Sequence, residues 1–216
     1  MMTNETLTRI LTYFDEILPE AGCELNYRQP HELLIAVMLS AQTPDASVNR
    51  VTPILFSRFN SVEALAQADR EEVETIIRSI GLFKTKAKNI IAAMRMMQER
   101  FSGAVPSDKA FLTSLPGVGI KTANVVRAEL FHIPEIAVDT HVTRIAKRLG
   151  FVKMSDDVTT IEKKLRKRLP IERYIKTHHQ MIHFGRYYCQ ARGMKCAHCP
   201  LVDICREKNK NLAVEK

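Results

Sequence analysis

Apolar residues recur along this chain with the period of a helix rather than that of a strand. Leu7, Ile10, Leu11, Phe14, Ile17 and Leu18 share one helical face, as do Val73, Ile76, Ile77 and Ile80 before the stop signal of Gly81. Ala87, Ile90, Ile91, Met94 and Met97 line another. After Pro30, a favoured first-turn residue, His31 to Ser40 is apolar on nearly every face and predicts a central, fully buried helix. Further periodic stretches begin near Asn60, Asp69, Ser107 and Asp157, each beside a residue able to cap a helix. No stretch alternates as a half-buried strand does, so the expected fold class is all-α. Pro134 interrupts the pattern between His132 and Glu135 and marks the nearest thing to a boundary. The polar, lysine-rich tail after Cys205 predicts a frayed end.

Composition narrows the class of partner. The chain has 216 residues, enough for one or two domains, and 32 Lys and Arg against 24 Asp and Glu give a net charge of +8. That surplus suits a polyanion. The N-terminus has neither a basic start nor an apolar run, and no window reaches the roughly 18 apolar residues of a membrane span. A chain that stays in the cytoplasm is therefore expected.

Four of the five cysteines crowd into one segment: Cys189, Cys196, Cys199 and Cys205, separated by six, two and five residues. In a reducing compartment such a cluster points to a metal site rather than to disulfides. Four thiolates saturate either a tetrahedral zinc or a cubane iron-sulfur cluster. Only Cys196 and Cys199 form the short knuckle typical of zinc, so the spacing leans toward iron and sulfur. Cys23, far away, reads as a buried small apolar residue, and His198 as a filler of the cluster loop.

The segment Leu115-Pro116-Gly117-Val118-Gly119-Ile120-Lys121-Thr122-Ala123 places two glycines in a tight turn directly before a helical pattern through Val125, Val126 and Leu130. A turn of this kind presents bare backbone N–H groups to a phosphate, although a plain helix-helix connection has the same signature. Lys121 opens the second helix, where the dipole and partial desolvation both favour the neutral amine. It is either a nucleophile or a phosphate-binding cation. Asp139, before the pattern Val142, Ile145, Ala146 and Leu149, is either a helix N-cap or a base that also steadies a developing cation. The basic run Lys163 to Arg168 reads as a helix with core face Ile161, Leu165 and Leu169 and solvated charges.

Together the hairpin LPGVGIKTANVV, the segment AVDTHV seven residues after Leu130, and the four-cysteine spacing resemble the endonuclease III family, the iron-sulfur branch of the helix-hairpin-helix DNA glycosylase superfamily. LLIAVMLSAQTPD and IRSIGLFKTKAKNI extend the resemblance to nearly the whole chain. It implies a six-helix barrel over 24–133 and a cluster domain from 1–23 and 134–216, with a DNA-binding cleft between them. It implies a bifunctional DNA glycosylase and abasic-site lyase acting on oxidised pyrimidines in double-stranded DNA, monomeric, cytoplasmic and nucleoid-associated in a bacterium. Lys121 would attack the sugar C1′ and form a Schiff base, with Asp139 assisting. Gln42 and Leu82 would fill the gap left by a flipped base, and Gly117, Val118, Gly119 and His141 would contact DNA. Cys189, Cys196, Cys199 and Cys205 would hold a 4Fe-4S cluster, organising a loop from which Arg192, Lys195 or Arg206 meets phosphates.

Three positions depart from the family pattern. Ile120 replaces a basic residue, Thr113 an acidic one and Arg127 an apolar one, which bears on affinity and substrate range. Two other functions stay open on the sequence: a non-catalytic iron-sulfur DNA-binding or redox-sensing module, and a monofunctional adenine mismatch glycosylase. Lys121 argues against both, and the second would need a further recognition domain.

Overall fold

Side-chain oxygens start most of the helices. In the computed structural model, which describes residues 2–194 and 196–213, α1 (Asn4–Ile17) is capped by Thr3, whose hydroxyl accepts from Thr6 N. Then follow α2 (Pro30–Ser40), α3 (Asp45–Arg58), α4 (Val62–Ala66) capped by Ser61, and α5 (Arg70–Ile76) capped by Asp69. Next are α6 (Phe83–Phe101), α7 (Lys109–Ser114) capped by Asp108, and α8 (Ile120–Phe131). The remainder are α9 (Thr140–Arg148) capped by Asp139, α10 (Val158–Arg168) capped by Asp157, and α11 (Tyr174–His183). Each cap satisfies a first-turn N–H that the helix itself leaves open. No strand occurs among the described residues, and the fold class is all-α. Among them, too, no helix is long and apolar enough to cross a membrane.

The chain divides into two compact units, Glu24–Ile133 and Met1–Cys23 with Pro134–Lys216. In the first unit α2 is buried from His31 to Leu39, as its all-round apolar sequence predicts, and packs against α3, α6 and α8. Leu33, Leu34, Ile35 and Leu39 are fully buried there, with Leu55, Leu65, Ile90 and Met94. In the second unit Ile10 and Phe14 of α1 join Val142, Ile145, Ile161, Leu165 and Phe184 in one core.

Three expectations are corrected by the structure. The charges of α10 are not simply solvated: Arg166 pairs with Glu135 and Glu162 and donates to Pro134 O, and Lys164 donates to Asp156 at 2.6 Å. Nor is the tail loose as far as Asn211, because Asn211 O accepts from Cys196 N at 3.1 Å and Arg148 O accepts from Arg206 N at 2.7 Å; its last three residues, 214–216, lie outside the described ones. Cys23 is half-buried rather than buried.

His31 is a buried polar residue in a helix of aliphatic ones. Its Nε2 has no hydrogen-bond partner, and burial pushes its pKa below the usual histidine value. Because the unfolded chain then binds more protons than the folded one just below pH 6.5, stability falls as pH drops through that window. Phenylalanine keeps the ring and removes the orphaned nitrogen. His31→Phe is expected to stabilise the fold by about 1 kcal/mol and to flatten the acid side of the stability curve, as read by thermal melts at pH 5.5 and 7.5.

Candidate functional site

The hairpin between α7 and α8 is built by one glycine more than the other. Gly117 has φ +79°, and a Cβ there would lie 2.9 Å from both Cβ and Nδ2 of Asn89 and 3.1 Å from Cε of Met38. No other residue fits that turn without displacing α6 or α2. A Cβ on Gly119 would meet nothing within 4 Å, so the space above it is open to an approaching ligand. Gly119 is the N-cap of α8 and offers no side-chain cap, leaving first-turn N–H groups directed outward. Val118 is buried and anchors the turn, with its N–H donating to Leu115 O at 3.1 Å. Lys121 stands one residue into α8 and is solvent-exposed, so the partial desolvation expected for it is absent from this structure.

The departures from the family pattern have local explanations. Ile120 is 65% exposed beside this open helix end, an apolar group in open solvent. Thr113 turns its hydroxyl back to Lys109 O within α7. Arg127 donates to Ser107 O at 2.5 Å and so ties α8 to the segment before α7.

Two further predicted residues stand at unusual backbone angles. Gln42 has φ +57° just past the end of α2, and Leu82 has φ +59° at the start of α6. Both side chains are exposed, Leu82 to 63%. The left-handed region is common for the residue after a helix, but a leucine there at a helix start is strained.

In the other unit Asp139 forms the cap: its Oδ1 accepts from Val142 N at 2.8 Å. His141, in the first turn of α9, is half-buried with Nδ1 3.1 Å from Arg144 Nη2. Burial chiefly lowers its pKa; Asp139 opposes this while Arg144 and Arg186 add to it.

All four clustered cysteines line one cavity of about 350 Å³, together with Tyr13, Arg148 and Tyr188. Residues 184–188 form a π-helical turn after α11 that ends at Cys189, whose N–H donates to Phe184 O at 2.7 Å. Arg148, buried in α9, donates to Cys189 Sγ at 3.2 Å and to Gln190 O at 2.8 Å, and pairs with Glu207 at 2.8 Å. Burial pushes the Cys189 and Cys199 thiols up, Cys205 adds to this at both, and Arg148 opposes it at Cys189. No group of three His, Cys, Asp or Glu side chains among the described residues is poised to hold a single metal ion. The donor set is soft and all-sulfur around a shared cavity, which fits an iron-sulfur cluster. Lys195 lies outside the described residues.

Sequence reasoning missed Arg148 and Lys86. The Nζ of Lys86 is buried against Leu39 O, Ala41 O and Thr43 Oγ1. Neither residue breaks a helical pattern, so nothing local marks it.

Comparisons with known proteins agree on one relationship. Residues 35–171 match the family model described as "HhH-GPD superfamily base excision DNA repair protein". Endonuclease III of Bacillus subtilis (strain 168) is 46% identical over 210 residues, covering 97% of this chain and 96% of that protein. Among solved structures, a non-covalent endonuclease III–DNA complex superposes with a TM-score of 0.92 at 48% identity, covering 95% of this chain and 96% of that one. A trapped covalent endonuclease III–DNA intermediate gives 0.91 at 48%, covering 95% and 97%.

Proposed function

This chain belongs to the HhH-GPD superfamily and, within it, to the endonuclease III family, and we infer from that membership that it is a base excision repair DNA glycosylase and abasic-site lyase. The observation that carries a lyase rather than a binding module is Lys121, an exposed amine on the first turn of an uncapped helix beside the open Gly119 backbone.

The reaction proposed for these residues starts with the duplex held by its phosphates. Backbone N–H groups at Gly117 and Gly119 and in the first turn of α8 take one phosphate, Val118 serving to hold the turn because its own N–H is bonded to Leu115 O, and His141 at the start of α9 meets another. Gln42 and Leu82 enter the stack as an oxidised pyrimidine flips out. The Lys121 amine attacks C1′; the C1′–base bond breaks and the base leaves with a proton. Ring opening gives an imine, loss of a C2′ proton expels the 3′ phosphate, and water hydrolyses the imine to restore the amine. Asp139 receives the proton from the attacking amine and steadies positive charge on the sugar. The proposed sequence requires both Lys121 and Asp139.

Cys189, Cys196, Cys199 and Cys205 would hold a 4Fe-4S cluster, which would tie down the C-terminal segment rather than supply bond-breaking chemistry. Arg148 would hydrogen-bond its Cys189 ligand. Arg192 and Arg206 stay candidates for phosphate contact; a monomer working on the nucleoid in the bacterial cytoplasm completes the reading.

The purified chain is expected to absorb at roughly 400 nm, to contain about four irons, and to nick a duplex bearing one thymine glycol while leaving the undamaged duplex intact. A colourless, zinc-containing protein would overturn the cluster assignment. An iron-replete protein that binds the damaged duplex without cutting it would favour the sensor reading.

A further inference from the structure

Lys86 is the only buried lysine among the described residues, 8% exposed, on the first turn of α6. Its ammonium faces no carboxylate. It donates instead to Leu39 O at 2.8 Å, Ala41 O at 2.7 Å and Thr43 Oγ1 at 3.0 Å, one partner for each of its three protons. The two carbonyls belong to the end of α2, where oxygens lack helical partners and carry the negative end of the dipole. That field offsets much of the cost of taking the charge out of water. Burial still pushes the amine's pKa down.

The placement of these three acceptors matters because Gln42 lies between Ala41 and Thr43. The ammonium therefore grips both neighbours of a residue held at positive φ. The same Lys86 also closes the first turn of α6, its backbone N–H donating to Leu82 O at 3.0 Å, and Leu82, like Gln42, is exposed and at positive φ. One residue thus fixes the backbone at two separate exposed side chains, through its side chain at one and its main chain at the other. Backbone in sparsely populated regions persists only where the surroundings over-determine it.

We propose that Lys86 is a positioning residue for base flipping, a buried strut that sets the spacing between Gln42 and Leu82 so that both enter the DNA stack together. It rests on the reading of Gln42 and Leu82 as gap-filling residues. Lys86 touches no substrate; it acts through the two residues it holds.

The test compares a substrate that needs gap filling with one that does not. Lys86→Met keeps the length of the side chain and removes the charge and all three hydrogen bonds. Single-turnover excision from a thymine-glycol duplex is expected to fall at least about tenfold, because a misplacement of roughly 1 Å is costly to an oriented reaction. Cleavage of a preformed abasic site in single-stranded DNA, where there is no stack to fill, is expected to stay within about twofold of wild type. Lys86→Arg, which retains charge and donors, is expected to recover part of the duplex activity.

Equal losses on both substrates, or no loss on either, would overturn the proposal. Gln42→Ala and Leu82→Ala separate its failure from that of the underlying reading. If those two variants excise normally from the duplex, gap filling is wrong; if they are impaired and Lys86→Met is not, the strut is wrong. In the double variant Lys86→Met/Gln42→Ala the two losses should not multiply, since a strut has little to position once Gln42 is gone. Should Lys86→Met not fold, Thr43→Val removes one of the three bonds and carries the same comparison. A duplex-specific loss of about threefold supports the strut, and equal behaviour on both substrates overturns it.

Discussion

Lys121→Ala is expected to leave no covalent adduct when the chain is treated with borohydride on a duplex carrying one thymine glycol, whereas the wild-type chain becomes joined to the DNA. The imine is the only species in the proposed sequence that borohydride can fix, and it forms only if an amine of the protein has bonded to C1′. Lys121 is exposed at the start of α8, and alanine is a good helix former, so melting should move by less than about 0.5 kcal/mol in stability. Gly117 and Gly119 are untouched, and binding of the damaged duplex should persist. Turnover should drop by at least about a thousandfold, because no other group takes the place of a lost nucleophile. An adduct that survives in Lys121→Ala would move the nucleophile to another amine of the chain. An absent adduct in the wild type, with the base nonetheless released, would make the enzyme a monofunctional glycosylase.

The second large effect separates two roles of one carboxylate. Asp139 Oδ1 accepts from Val142 N at 2.8 Å and so caps α9, a structural duty that asparagine performs about as well. Asp139→Asn is therefore expected to keep the melting temperature while losing the charge that accepts a proton and steadies the cationic sugar. Base excision should fall by about a hundredfold to a thousandfold, the usual scale for one electrostatic group at a reacting centre. Asp139→Ala should lose as much activity and, in addition, about 1 kcal/mol of stability from the vacant cap. Rates measured beside melts for the two variants decide the matter. If Asp139→Asn retains wild-type excision, Asp139 is a cap and nothing more.

The consequences of Lys86 and Arg148 have the same character as those of Asp139. Each is a polar group committed to backbone, and each commitment places a residue that sequence alone already singles out. Arg148 reaches from α9 to Cys189, Gln190 and Glu207. Lys86 reaches from α6 to the end of α2. Such pairs cost desolvation and return it as geometry.

The sequence by itself determined the local facts. Helical periodicity and capping residues placed α1, α2, α6 and α9, because a helix is stabilised within a few residues of itself. The period-free apolar run after Pro30 made α2 a buried helix, and it is buried from His31 to Leu39. The glycine pair and the cysteine spacing marked the chemistry, since a turn at φ +79° and a set of clustered thiols are both written in neighbouring positions. Tertiary structure alone decided what joins distant positions. The ammonium of Lys86 and its acceptors are 43 to 47 residues apart, and Arg148 and Cys189 are 41 apart. The left-handed angles of Gln42 and Leu82, the pinning of the tail through Asn211 and Arg206, and the pairing of Arg166 with Glu135 belong to the same group. These contacts have no period and no preferred residue at a fixed offset. They arise only once helices built from local rules have packed, when each buried polar group must find whatever partner the packing has brought within 3 Å.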